Sequence, residues 1–464
     1  MIDSAYAYSL EKAGDWDALF ELVSNWPNVQ DKHWYLGNYY LLYKGDYLSA
    51  AEMYGRLLPA PCPFPAQAYL RFGKALHGCD RVEEALQCYL KVLVSRQIFA
   101  DSWRKDALVA YGLACLELGL YEHLLLVLPK FYEKNIFDPL SYYLAAQARF
   151  FLDDWPTGWH MYEYRKCWFN CPLSNRRLQI WQLGDARPRG ETIFLSSDLG
   201  IGDFVFFLRF VPRLRQYYRL IFVIVPLNLY SLAERSGLFD EVFSLQDLLL
   251  DDIECVLKIS SICSFLGSKS CSPEASLSSP YLSIVNPLGP AFDLFRSPGR
   301  KKPLVALNWS GNQEAESPSF TVRARAVPIE ILEAIPALSA VDLVSVQLGR
   351  KDELMKSSLS KYLHPFQDQF DRLNDDLSVT ASMLMECDLL ITNDTSLAHL
   401  GGAMGIPTWV MLKCYPSWQW GYDGDGSWYK SIRCFRQHRP FDWAGVAADV
   451  NQALESFIAS SNYS

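Results

Sequence analysis

An acid in the first turn of a helix that faces a cleft either caps that helix or takes a proton from a bound substrate. Asp203 has this setting. The run Asp198-Leu199-Gly200-Ile201-Gly202-Asp203-Phe204 follows an apolar stretch and opens a helix marked by Phe207, Phe210 and Leu214. Gly200 and Gly202, at such a strand-to-helix turn, let backbone amides approach an anion or an acceptor closely. The third glycine of a dinucleotide fingerprint is missing and no acid clearly follows the next strand, so no nicotinamide cofactor is expected.

A second constellation lies in Asp388-Leu389-Leu390-Ile391-Thr392-Asn393-Asp394-Thr395-Ser396-Leu397-Ala398-His399-Leu400, which reads as strand, tight polar turn and helix. A helix beginning near Thr395 or Ser396 points free amides and hydroxyls out of the sheet's carboxyl edge, where its dipole suits a diphosphate. Asn393, Asp394, Thr395, Ser396 and His399 are the candidates there. The same residues also read as an ordinary N-cap at Asp394 and a buried, hydrogen-bonded histidine at position 399. Ser310, Gly311, Asn312 and Gln347 end two further strands at that edge, and Arg323 and Arg325 follow in a loop where guanidinium forks suit phosphate oxygens. No Gly-x-Ser-x-Gly elbow supports a serine nucleophile. Asp423-Gly424-Asp425 imitates a metal-holding acid pair, but in a glycine-rich loop it reads as a turn, so no metal is expected.

Those turns need strands to carry them. From Arg189 onward, short β-branched or aromatic runs alternate with amphipathic segments, the pattern of βαβ units and a parallel sheet. Thr192–Ser196, Leu220–Val225 and Glu241–Leu245 form one series of strands. Leu304–Asn308, Leu343–Gln347, Leu389–Thr392 and Thr408–Leu412 form a second. Residues 267–302 between them are rich in Ser, Pro and Gly and read as a linker. Two open α/β domains joined this way place a ligand cleft between their carboxyl edges.

Up to about residue 170 the apolar spacing is helical instead. A small or apolar residue followed four positions later by a larger one recurs at Ala50/Tyr54, Ala85/Tyr89, Leu124/Leu128 and Gly158/Tyr162, at offsets of 35, 39 and 34. A period near 34 with turns such as Lys44-Gly45-Asp46-Tyr47 is that of a tetratricopeptide-type helical solenoid of four or five units. Its concave face suits a long ligand, such as a polypeptide.

Composition excludes several alternatives. Half the 464 residues are hydrophobic, enough for several packed cores rather than extended disorder. A formal charge of −9 argues against broad adhesion to nucleic acid or anionic lipid. No run reaches the ~20 apolar residues of a membrane span, and no secretory signal is visible, so a cytoplasmic location is expected. The 12 cysteines show no CxxC pair or zinc spacing and read as reduced, buried thiols.

The second half resembles bacterial tetratricopeptide proteins carrying a two-domain GT-B glycosyltransferase, similar to heptosyltransferases and, more distantly, to O-linked N-acetylglucosamine transferases. The resemblance rests on Leu199–Asp203 with Arg209-Phe210-Val211-Pro212, on Leu307–Asn312, on Asn393–Leu400, on Trp418-Gln419-Trp420 and on Trp428–Gln437. It implies a fold of helical repeats (1–170), an acceptor-side Rossmann-like lobe (171–285) and a nucleotide-sugar lobe (286–464), with the last helix returning to the first lobe. It also implies metal-independent transfer of a sugar from a nucleotide-diphosphate donor. Asp203 then matches the candidate general base, and Asp394, Thr395, Ser396 and His399 match the turn and helix that hold the donor. The repeats suggest a protein side chain as acceptor. A saccharide or lipid acceptor would share the same donor residues, whereas a non-catalytic scaffold with a degenerate transferase domain would bind a protein partner without hydrolysing a nucleotide sugar.

Overall fold

The computed structural model describes residues 4–27, 29–58, 65–95, 101–133, 138–167, 179–246, 253, 255–267, 271–274, 280–284, 300–311, 325–365, 367–368, 371, 377–421 and 428–460. The chain divides into two compact units, Met1–Leu152 and Asp153–Ser464.

The first unit is helical. Its helices include Trp16–Ser24, Tyr47–Leu57, Pro65–Gly78, Val82–Val94, Tyr121–Tyr132 and Pro139–Phe151. Two of the turns repeat one device. Gly14 and Gly45 take left-handed backbone (φ 74° and 64°), and the next residue, Asp15 or Asp46, accepts the amide of Ala18 or Ser49 at the new helix's start. The spaced pairs lie inside: Ala50, Tyr54, Ala85, Tyr89 and Leu124 are fully buried. Glycine makes room for the larger member. A Cβ on Gly37 would stand 2.7 Å from the Tyr54 ring, and one on Gly73 would stand 2.5 Å from Tyr89, so these glycines set how closely paired helices approach.

The second unit holds two five-stranded sheets, parallel throughout. The first contains β1 (Gln179–Ile180), β2 (Thr192–Ser196), β3 (Leu220–Val225), β4 (Glu241–Ser244) and β5 (Cys255–Lys258), in the order β1-β5-β2-β3-β4. The second contains β6 (Leu304–Leu307), β7 (Asp342–Ser345), β8 (Leu389–Asn393), β9 (Thr408–Leu412) and β10 (Ile432–Arg436), in the order β10-β9-β8-β6-β7. Both are Rossmann-like, and each reverses its winding once, between β2 and β5 and between β6 and β8. Such reversals open the crevice where ligands bind in doubly wound sheets. In the second sheet Asn308, just past β6, donates to Thr392 Oγ1, Asn393 Oδ1 and Thr395 Oγ1 at 3.0–3.1 Å, tying the two strand ends across that reversal.

Three strands escape the sequence reading. β1 is two residues long, β5 ends in a lysine, and the edge strand β10 carries two arginines, so none shows an apolar run. Pro212 splits the helix expected after Asp203 into Ile201–Phe207 and a tighter 3₁₀ stretch, Leu208–Gln216. The helix Trp155–Tyr162, read as part of the repeats, belongs to the second unit, where Trp159 donates to the Cys271 carbonyl and packs on Phe207 and Trp418. The last helix, Trp443–Ser460, stays on the second sheet instead of returning to the first lobe. Its apolar stripe of Val446, Val450 and Leu454 completes the core under Val305, Leu343 and Ile391.

Most of the 267–302 linker lies outside the described residues. The part that is described is pinned: the amides of Tyr281 and Leu282 both donate to Ala403 O, and Tyr281 OH donates to Val205 O. Buried Arg209 spans the two lobes, donating to Phe206 O, Trp428 O and Tyr281 OH. The rings of Phe206, Tyr281, Trp428 and Tyr429 lie 4.3–5.0 Å from its guanidinium.

Candidate active site

Two helix N-termini meet at the carboxyl edges of the two sheets. β2 turns through Ser197–Gly200 into Ile201–Phe207, whose first turn carries Asp203. β8 turns through Asp394 into the helix Ser396–Met404, with Thr395 at its N-cap. Gly202 is the point of contact, where a Cβ would lie 3.1 Å from His399 Cδ2 and 3.3 Å from Ser396 Cα. Its missing side chain therefore admits the neighbouring helix. A Cβ on Gly200 would meet only the Asp203 carboxylate, at 3.7 Å.

Asp203 is half-buried, and its Oδ1 accepts a hydrogen bond from Gln419 Nε2 at 3.0 Å. Among the described residues the carboxylate makes no bond to its own helix's amides, so it does not act as a cap. Burial pushes its pKa up to about 7, helped by the charges of Asp198 and Asp394 and opposed by Arg325 and Arg165. A carboxyl poised there exchanges protons readily at neutral pH.

Asp394 does not cap the helix that follows it. Its Oδ2 accepts from Ser417 Oγ at 2.5 Å and from the Ser417 amide at 3.4 Å, and its Oδ1 accepts from Trp420 Nε1 at 2.8 Å. Burial alone would raise its pKa, but the Arg325 charge and these hydrogen bonds hold it below the ordinary carboxylate value. It is spent on anchoring a loop, and helix Ser396–Met404 has no side-chain cap, because the Thr395 hydroxyl is tied to Asn308. The amides that open this helix thus face the carboxyl edge without a side-chain acceptor.

His399 is buried, bonded through Nδ1 to Tyr429 OH at 2.8 Å and stacked on Trp420 at 4.8 Å. Burial pulls its pKa down to about 4 against the pull of Asp394, so it is neutral at pH 7 and lends no charge to a phosphate. Small residues further along fit this helix to its sheet: Gly401 sits under Thr408 and Gly402 under Tyr429.

Ser310, Gly311 and Gln347 form a separate corner. Gln347 Oε1 accepts the amides of Trp309 and Ser310 at 3.1 and 2.8 Å, fixing the loop after β6 against the end of β7. Ser310 Oγ donates to Gly311 O. Asn393 Nδ2 donates to Arg325 O at 2.8 Å, which brings this arginine's backbone to the β8 turn, and its charge acts on Asp203, Asp394 and His399. Asn312, Arg323, Asp423 and Asp425 lie outside the described residues.

Behind Asp203 lies a buried ionic group that sequence reasoning missed. Arg165 donates to Glu163 Oε1, Asp198 Oδ2 and the hydroxyls of Ser260 and Ser261. Asp198 also accepts from Ser260 N and Oγ, closing the reversal point between β2 and β5. Asp198 stood in the run already singled out, whereas no motif marked Arg165. Gln419 was visible only as the middle of Trp418-Gln419-Trp420. Elsewhere, a cavity of about 700 Å³ lies between β10 and the last helix, lined by Cys414, Arg433, Arg436, Gln437, Asp449 and Gln452 among others. Among the described residues no three His, Cys, Asp or Glu side chains converge in a manner that would hold a metal ion, and no helix is long and apolar enough to cross a membrane.

No family model matches the chain. It is similar to protein FlbA of Caulobacter vibrioides, 24% identical over 326 residues that cover 65% of this chain and 53% of FlbA; the chain thus spans about half the length of that relative. Among solved structures, it is similar to a glycosyl transferase family 9 protein from Veillonella parvula, at 12% identity and a TM-score of 0.41 over 58% of this chain and 98% of that one. It is also similar to E. coli ADP-heptose lps heptosyltransferase II, at 12% identity and a TM-score of 0.40 over 57% of this chain and 99% of the other.

Proposed function

We propose that the second unit is a GT-B glycosyltransferase that moves a sugar from a nucleotide-diphosphate donor to an acceptor hydroxyl or amide. One observation carries the reading: Asp203, poised near neutrality, stands beside the uncapped N-terminus of helix Ser396–Met404, with Gly202 in contact with Ser396. In this reading the acceptor's proton passes to Asp203 as its oxygen or nitrogen bonds the sugar's anomeric carbon. The bond from that carbon to the diphosphate breaks, and the leaving charge is taken up by the amides at Thr395 and Ser396 and by Arg325. Ser310, Gln347 and Asn393 shape the donor's other contacts, Asn312 and Arg323 are proposed to join them, and the chemistry needs no metal ion. The acceptor we propose is a protein side chain presented by the tetratricopeptide-like helices, in the cytoplasm.

The test is a thermal-shift panel of UDP-, GDP-, ADP- and TDP-sugars on the full chain, because a ligand that binds only the folded state raises its melting temperature. One donor class is expected to stabilise the protein, and its nucleotide to be released on turnover by the native chain but not by Asp203→Asn, with EDTA without effect. No shift with any donor would favour a non-catalytic scaffold. Turnover by Asp203→Asn at the native rate would remove Asp203 from the base role. A peptide library set against a glycan array separates protein from saccharide acceptors.

A further inference from the structure

The loop that holds Asp203 belongs to the other sheet. Ser417–Trp420 follows β9, yet Gln419 reaches the first turn of the helix after β2. The loop is anchored on both sides of Gln419. Ser417 and Trp420 are fixed to Asp394 by three hydrogen bonds, and Trp418, 3% exposed, is packed among Trp159, Phe206 and Trp428. Gln419 is itself 5% exposed, its Nε2 on Asp203 and its Oε1 buried without a partner among the described residues. An orphan buried carbonyl is a cost that a space-filling side chain would not carry.

We propose that Gln419 is a positioning residue for the base: it orients the Asp203 carboxylate and favours its ionised form, so that a loop anchored on Asp394 of the second sheet sets the proton acceptor of the first. The inference rests on the reading of Asp203 as the base. The amide donates to the carboxylate through Nε2, a bond that the ionised form accepts more strongly than the neutral acid. Asp394 thereby acts on the acceptor side of the reaction as well as beside the donor helix.

The experiment reads the Asp203 side chain directly. The full chain is labelled with carbon-13 at the aspartate carboxyls, the Asp203 resonance is assigned by its loss in Asp203→Asn, and its titration is followed between about pH 5 and pH 9 in native protein, Gln419→Leu and Gln419→Glu. In Gln419→Leu the midpoint is expected to rise by about one pH unit, because the ionised form loses its donor. In Gln419→Glu, nearly the same size, a second acid beside the first is expected to raise it further. A midpoint unmoved in both variants overturns the proposal, even if their melting temperatures fall, since a purely structural role would lower stability without touching the titration. If Asp203→Asn still releases nucleotide while the midpoint moves in the Gln419 variants, it is the base reading that fails and the hydrogen bond that stands.

Discussion

Gln419 Nε2 lies 3.0 Å from Asp203 Oδ1, although the two residues are 216 positions apart and hang from different sheets. Two residues before Gln419 and one after it, the same loop is held by Asp394. The two acids singled out on the chain are thus connected through four consecutive residues.

Asp203→Asn is expected to stabilise the protein at alkaline pH. The acid's pKa is raised from an unfolded value near ~3.9 to about 7 in the folded state. The protonated form is therefore favoured on folding, and the stability it contributes is complete below about pH 4 and lost as pH rises through 7. Native protein should lose up to roughly 3–4 kcal/mol across that window relative to the variant. Melting temperatures recorded from pH 4 to pH 9 check this: the two curves should meet at the acid end, diverge between about pH 4 and pH 7 and run parallel above that. Curves parallel throughout would show that the carboxyl is not perturbed.

Asp394→Ala leaves the Trp420 N–H and the Ser417 hydroxyl without their acceptor in a buried place. A loss of about 2–4 kcal/mol is expected, with Asp394→Asn, which keeps one acceptor oxygen, losing about half as much. Urea denaturation of the three proteins measures it. A loss under about 0.5 kcal/mol in the alanine variant would mean that the loop is anchored elsewhere.

For Gly202→Ala, the added methyl meets helix backbone at Ser396 Cα, 3.3 Å away, and the His399 ring at 3.1 Å. The two helix starts must separate by a few tenths of an ångström. Stability should fall by about 1 kcal/mol and kcat/KM with the donor found in the thermal-shift panel by about tenfold. Native kcat/KM in this variant would show that the approach of the two helices does not matter to the reaction.

Arg165→Met strands Glu163 and Asp198, both buried, without their cation. Breaking such a group from one side costs about 3–5 kcal/mol. Adding Glu163→Gln should recover part of the loss, and a double-mutant cycle by denaturation measures the coupling. Because the Arg165 charge also favours the ionised form of Asp203, the single variant should raise the Asp203 titration midpoint.

Local chemistry is legible along the chain wherever neighbours in sequence are neighbours in space. Val and Ile runs mark β3, and Thr192–Ser196 and Thr408–Leu412 are strands with the bounds their apolar runs suggest. The start of the helix at Ser396 follows from its polar turn. The four-residue spacing of Ala50/Tyr54 and Ala85/Tyr89 marks their buried face. β10 was hidden because its arginines at 433 and 436 mask the apolar alternation that an edge strand tolerates.

From the sequence alone came the helical first part, the two parallel series and the edge at which Asp203, Asn393 and Ser396 stand, because periodicity and turn chemistry act over a few residues. Tertiary structure alone decided the partners: Gln419 on Asp203, Ser417 and Trp420 on Asp394, Tyr429 on His399, and Arg165 on Asp198. Hydrogen bonds and shifted pKa values between residues so far apart depend on how separately formed sheets and loops come to rest against each other, and no local pattern encodes that.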